Sequence, residues 1–470
     1  MYKLIRNIGF AAVSLAIGMA SCDEDYPKSH IEPYDTELLS IKILNAGANG
    51  DKVVEGTIDE AKKTINFPRL DVETDFSALS IEAELSEGAA LQSEVMDYSM
   101  DAETNDKTQV LRIINHNRYK DYLMKVRKRV PVFGADFEKP TVYNFSGDFL
   151  YPDFTGLSTR CAAFDGEYVL VVSRKAGSNP HLLKVSDLKT GVISPIMLDM
   201  SGVSGGTYDY NMGALANGHV YIANLSGATG MKIYYWETPS SQPEVVLNIN
   251  PNEIAGAGAR HGDNISVNID KDGNGFIFFG DNAGKAILRL TVRNHKTIGD
   301  PKVLPSSAET KVITNVYRIE NTEEYVWSGL TRPVTLVDES LNEKYKMKKE
   351  NIAGESVAPR IFTFNGERYL IVCTAGYGSS TKATPSLIVY NLTKGSTVAE
   401  AMQKFDEAEN HNPDYTFILG GSGNPAPSAQ TEYYIEKDEN GKDVKLYIFG
   451  ARTDSGFVIC EFPIKQEEQD

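Results

Sequence analysis

Cysteine is scarce: only Cys22, Cys161, Cys373 and Cys460 occur in 470 residues. That excludes a disulfide framework even for an exported chain. The last three sit in apolar, strand-like runs and read as small buried residues, with one oxidised pair as the alternative. Long apolar runs are also lacking. The longest, from Ile8 to Ala20, is about a dozen residues, well short of the ~20 that a spanning helix requires. Basic residues are too few to balance the acids, 47 Lys and Arg against 64 Asp and Glu, giving a formal charge of −17. A surface that acidic repels phosphate backbones, so nucleic acid is excluded as a partner.

Motifs for chemistry are equally thin. His30, His116, His181, His219, His261, His295 and His411 show no i,i+4 pairing and no cysteine at ligand spacing, so no zinc site is expected. The serine-rich runs SGVSGG and LGGSG lack the nucleophile elbow. No glycine-rich nucleotide loop occurs, so no cofactor is implied. Carboxylates are too numerous to single out a glycosidase pair, and catalytic residues cannot be assigned. Asp270, Asp272, Asn274 and Asp281, with Gly275 at position 6, mimic a calcium loop. The last ligand is Asp instead of the bidentate Glu, flanking helices are absent and the strand FIFFG follows directly. A hairpin turn is the expected reading.

What is present begins at the N-terminus. Lys3 and Arg6 precede the Ile8–Ala20 run, and Ala20-Ser21 lead into Cys22. Charge followed by a short apolar segment is the layout of a secretory signal. The small residues before Cys22 resemble a lipobox, with Met19 in place of the more usual leucine, and this resemblance implies acylation at Cys22. An ordinary cleaved signal is the alternative. Residues 1–21 are then the signal and 22–35 a tether containing Pro27 and Pro33. Removing Lys3 and Arg6 takes the formal charge from −17 to −19, which leaves the acyl chains as the only expected membrane contact. Asp23-Glu24-Asp25 resembles the export tag of Bacteroidota lipoproteins and implies the outer face of the outer membrane.

Residues 36–132 contain short alternating strands, LLSIKIL, KTINFP, ALSIEAEL, TQVLRII and YLMKVRKRV, separated by NAGANGD and SEGAA. This pattern predicts an Ig-like β-sandwich. The segment Tyr119–Val126 resembles the last strand of the N-terminal module of Bacteroidota surface lipoproteins, which implies a spacer.

Residues 135–470 repeat loosely. Six times an apolar strand enters a Gly- or Glu-rich turn and emerges as a second strand, as in CAAFDGEYVLVVSR and IFTFNGERYLIVCT. A third strand follows and usually a fourth, a spacing that predicts a six-bladed β-propeller. Seven blades is the alternative, because the gap between the fifth and sixth hairpins is long. That gap contains VAEAMQKFDEAE, spaced as an amphipathic helix. The sixth unit has only three strands, so TVYNFSG, from Thr141 to Gly147, is expected to complete it from outside and close the ring. Trp236 and Trp327 fall within strands and are expected in the core.

Counting back from each hairpin turn locates the start of each innermost strand at Arg160, Asn211, Asn264, Asn315, Arg360 and Gln430. All six are polar, and they would ring one end of the channel. Near them lie Tyr208, Asp209, Tyr210, Arg260, His261 and Asp263, with Tyr151 and Asp153 ahead of the first unit. Aromatic faces beside amide and guanidinium donors suit a sugar. The alternative is that these residues cap strand ends and bond to neighbouring loops. The overall plan resembles lipoproteins encoded with Bacteroidota glycan-uptake systems. That resemblance implies capture of an extracellular glycan or similar ligand at the propeller mouth, beside an outer-membrane transporter. A propeller glycoside hydrolase or lyase and a protein-interaction or adhesion platform are the rivals.

Overall fold

The computed structural model describes residues 34–101, 104–129, 132–147, 151, 158–175, 177–227, 230–377, 384–421, 424 and 426–465. The chain divides into two compact units, one ending at Pro131 and the other beginning at Val132. Cys22 and Asp153 lie outside the described residues.

In the first unit, one sheet orders Lys52–Glu55, Leu38–Ala46, Leu79–Leu85 and Val95–Met96. The other orders Thr57–Asp59, Thr64–Asn66, Arg118–Arg127, Asp106–Asn115 and Ala90–Leu91, with Thr64–Asn66 running parallel to Arg118–Arg127. Alternation along the long strands turns one face of each sheet inward. Ile41, Ile43, Leu79 and Ile81 from the first sheet therefore share a core with Leu111, Ile113, Tyr122 and Met124 from the second. Tyr98 is buried in that core because its hydroxyl reaches the Met124 carbonyl at 3.0 Å.

In the second unit the second strand of each sheet is buried almost end to end, as in Tyr168–Ser173 and His219–Leu225, because each sheet is packed on both faces. The described residues form six antiparallel sheets. Their first strands are Thr159–Phe164, Tyr208–Ala216, Ser266–Ile269, Thr314–Arg318, Ser356–Phe364 and Ala429–Lys437. Each of these touches the next, and the last touches the first. A closed circle of antiparallel meanders is the layout of a β-propeller.

Turn chemistry sets the hairpins. Asn217-Gly218 and Asn365-Gly366 both take left-handed backbone angles, with φ 53° and 80°, then 45° and 80°, as a two-residue turn between twisted strands demands. Asp270 Oδ1 accepts the backbone N–H groups of Asp272 at 3.0 Å and Asn274 at 2.8 Å, so the calcium-like segment is a hairpin turn. Thr141–Ser146 pairs along its length with Gly456–Pro463 and forms the outer edge of the sixth sheet, as the sequence predicts.

The gap in the fifth unit contains the helix Val398–Glu407, capped by the Thr397 hydroxyl on the Glu400 N–H. It buries Ala401, Met402 and Phe405. Its Asp406 accepts hydrogen bonds from the Tyr345 hydroxyl, the Lys348 N–H and the Asn351 amide, fastening the helix beside the fourth sheet. Trp236 and Trp327 are buried, and Cys161, Cys373 and Cys460 are buried free thiols.

Candidate ligand site at the polar end of the ring

Neighbouring inner strands diverge from one another, and backbone groups between sheets need partners from side chains. Most of the strand-start residues supply them. Asn211 Nδ2 donates to the Gly262 carbonyl at 2.6 Å, and Asn264 Oδ1 accepts from the Gly280 N–H at 2.9 Å while its amide reaches the Val312 carbonyl at 3.4 Å. Asn315 Oδ1 accepts from the Ala358 N–H at 3.0 Å. Gln430 Oε1 accepts from the Ala162 N–H at 3.4 Å, tying the sixth sheet to the first. These four amides are latches between consecutive sheets, the arrangement the capping alternative describes.

The two arginines of the set behave differently from each other. Arg360 is the fifth residue of its strand and not near its start, because Ala358, at φ 52°, opens a bulge between Val357 and Arg360. Its guanidinium meets Glu432 at 2.5 Å, donates to the Thr431 carbonyl at 3.2 Å and lies 3.4 Å from the Tyr317 ring centroid. All line a cavity of about 30 Å³ inside the ring, with Gly213 and Val267 among its walls, room for only a water or two. Burial pushes the Glu432 carboxyl up, opposed by Arg360. The structure gives Arg360 to an internal ion pair and not to the mouth.

Arg160 remains at the mouth. It is 9% exposed, donates from Nη2 to the Ala426 carbonyl at 3.1 Å, and among the described residues its Nε has no partner. Ser173 stands opposite Thr159 in the ladder, so the next residue, Arg174, emerges at the same end as Arg160. The Arg174 guanidinium lies 3.8 Å from the centroid of Tyr208, whose side is 45% exposed. Among the described residues the Arg174 side chain has neither an ion pair nor a hydrogen bond. Burial lowers the pKa of both arginines, and the charge of Arg160 lowers that of Arg174 further.

Two acids face them. Asp263 is held by Arg260 through a forked contact at 2.8–3.0 Å. Asp454 is fully buried, accepts the Thr159 N–H at 3.2 Å and is bonded to the Asn424 amide. Burial pushes its carboxyl up against the opposing pull of Asn424, Thr159 and the two arginines. Three guanidiniums thus meet two carboxylates, one of them disfavoured as an anion. The sequence reading missed Arg174, Asp454 and Asn424. The signal for Arg174 was available, since a second strand returns to the end where the first began.

Of the other predicted residues, His261 is fully buried, with Nε2 bonded to the Ala257 carbonyl at 2.9 Å and Nδ1 unpartnered. The proton therefore sits on Nε2, and burial lowers the imidazole pKa. Asn211 Oδ1 is likewise buried without a partner. Tyr210 is half-buried, its hydroxyl 3.5 Å from Asn179, while exposed Asp209 accepts from the Gly205 N–H at 2.7 Å. Tyr151 is buried against His181, with 2.9 Å between the hydroxyl and Nε2.

A family model described as a domain of unknown function (DUF4623) matches residues 24–465. A crystal structure of a family member from Bacteroides eggerthii is 73% identical, with 93% of this chain and 100% of that chain covered and a TM-score of 0.80. Much weaker likenesses are to YCF48 from Cyanidioschyzon merolae and a GH43 endo-arabinanase from Bacillus licheniformis. The first is 11% identical over 83% of this chain and 92% of that one, TM-score 0.35. The second is 12% identical over 57% and 96%, TM-score 0.33. No curated protein matches the chain.

Proposed function

The chain belongs to the DUF4623 family, and we propose that it is a lipid-anchored surface protein capturing an extracellular glycan at the mouth of its propeller. In this reading Cys22 carries the acyl chains and the acidic segment after it directs the protein to the outer face of the outer membrane. The first unit is an Ig-like spacer, the second a six-bladed propeller, and the captured glycan passes to an outer-membrane transporter. The observation that carries the reading is the Arg160 side chain, buried at the mouth with Nε unpartnered beside the exposed ring of Tyr208. A buried donor left unmade costs about 1–3 kcal/mol, a cost that a ligand hydroxyl or carboxylate would remove. An apolar ring face beside such donors is the usual composition of a sugar site.

The enzyme alternative needs two carboxylates facing each other across the mouth. Asp263 and Asp454 are the acids there, but the first is forked to Arg260 and the second is bonded to Asn424 and Thr159. Both serve the scaffold, which favours binding over hydrolysis. Screening the full-length protein on a broad glycan array, with calorimetry on the hits, tests capture. Binding weakened in Arg160→Gln supports it. A protein that retains nothing from the array moves the function to a protein-interaction platform.

A further inference from the structure

We propose that the ligand bears an oxyanion, the carboxylate of a uronic acid or a sulfate ester on a saccharide, and that Arg160 and Arg174 grip it together while Tyr208 backs the adjoining ring. The proposal rests on the glycan-capture reading and narrows it from sugars in general to acidic polysaccharides.

Two positive groups near enough to repel each other rarely lie in a fold without an anion between or beside them, because desolvating each already disfavours its charge. Arg160 and Arg174 are such a pair. Burial and mutual repulsion both act against the charge of Arg174, and among the described residues neither guanidinium is bonded to a carboxylate. The acids within electrostatic reach do not fill the role. Asp263 has its own guanidinium in Arg260, and Asp454 is occupied by Asn424 and the Thr159 N–H. Arg332 is the contrasting case in the same ring: it too stacks on an aromatic ring, 3.6 Å from the Trp327 centroid, but is bonded to both Glu309 and Glu343.

Geometry adds a second line. The Arg174 guanidinium lies over the Tyr208 ring, 3.8 Å from its centroid, and among the described residues its N–H groups have no hydrogen-bond partner. A planar fork with free edges suits two oxygens of one anionic group, whereas a hydroxyl would use only one donor. The Nε edge of Arg160 is the other unused donor. Arg160 is on the strand Thr159–Phe164, and Arg174 directly follows the adjoining strand Tyr168–Ser173, its backbone N–H bonded to the Ser158 carbonyl at 2.7 Å.

The test is calorimetric titration of the full-length protein in detergent with polygalacturonate, alginate, chondroitin sulfate, dextran and linear arabinan, and with sodium sulfate alone. We expect at least one acidic polymer to bind and the neutral ones not to. Arg174→Ala and Arg160→Gln should each weaken that binding by roughly 10- to 100-fold, the range for losing charge-assisted hydrogen bonds. Arg174→Lys should recover part of the loss, and Lys394→Ala, on an exposed loop, should leave binding unchanged. The uronate and sulfated arms tell which oxyanion is taken. Neutral polymers binding as well as acidic ones, or unchanged affinity in folded Arg174→Ala, would overturn the oxyanion grip and leave glycan capture standing. Free sulfate matching the polymers would overturn the saccharide part. Binding of none of them would overturn the capture reading and this inference with it.

Discussion

Arg160 and Arg360 are one residue type at equivalent points of a repeat, and the sequence alone ranks them together as ligand donors. The structure separates them, because the bulge between Val357 and Arg360 carries Arg360 into the ring beside Glu432. Their side chains are 14% and 24% exposed, so each desolvated charge depends on the other. Arg360→Ala should therefore lower the unfolding free energy by about 3–5 kcal/mol, the cost of an orphaned buried charge. Arg360→Met with Glu432→Leu should restore most of it. Urea midpoints of the wild type, the single and the double variant check this, and a single variant as stable as the wild type would refute it. His261 gives a pH signature. Its imidazole pKa is lowered in the folded chain by burial. As pH falls below the ordinary value near 6.5, the unfolded chain takes up a proton that the native chain resists, so stability falls. His295 is lowered too, by burial and by the charge of His219, so His261→Gln should shrink the loss of melting temperature between pH 7.5 and 5.5 without abolishing it. An unaltered slope would mean the imidazole does not report on folding. What sequence could not supply at this scale was the partner of each polar residue: Asn211, Asn264, Asn315 and Gln430 were visible as polar strand starts, but that they latch neighbouring sheets depends on contacts 43 residues or more away.

At the scale of elements, the hairpins were legible because they announce themselves twice, once in near-continuous apolar strands and once in turns such as Asn217-Gly218. The closing strand was legible by elimination, since the sixth sheet lacked an outer member. Less visible were the short strands Lys52–Glu55, Thr57–Asp59, Ala90–Leu91 and Val95–Met96, too brief to show a period, and the fourth sheet's outer strand Glu343–Lys346, which is mostly charged. The closing strand makes its own prediction. Gly456, at φ 92°, lets the chain turn so near that a Cβ there would sit 2.3 Å from the Phe145 carbonyl, and the two strands then pair over six residues. A fragment beginning at Val132 should melt cooperatively. One beginning at Gly147 should expose the edge of Gly456–Pro463 and aggregate, because an unpaired apolar strand recruits another chain. Light scattering during parallel thermal melts decides, and equal solubility of the two would show that the strand does not secure the ring.

At the scale of the whole molecule, the proposed membrane attachment lies in the segment ahead of the first unit, and none of the described helices is long and apolar enough to cross a membrane. The acidic surface, formally −17, is repelled by anionic headgroups. Attachment would then depend on acyl chains, each buried CH₂ contributing about 0.8 kcal/mol, and one chain alone gives only marginal binding while two hold. If Cys22 is the acylated residue, Cys22→Ser removes every chain at once. The variant should therefore leave the detergent phase of a Triton X-114 partition and incorporate no labelled palmitate, while its two units melt as in the wild type. Added salt separates this from a charge-based attachment: acylated protein should stay with membranes at 1 M salt, where the screening length falls to about 3 Å, whereas a protein held by charge would be released. Palmitate labelling that persists in Cys22→Ser would place the anchor elsewhere, and a wild-type protein washed off by salt would remove the anchor from the account altogether.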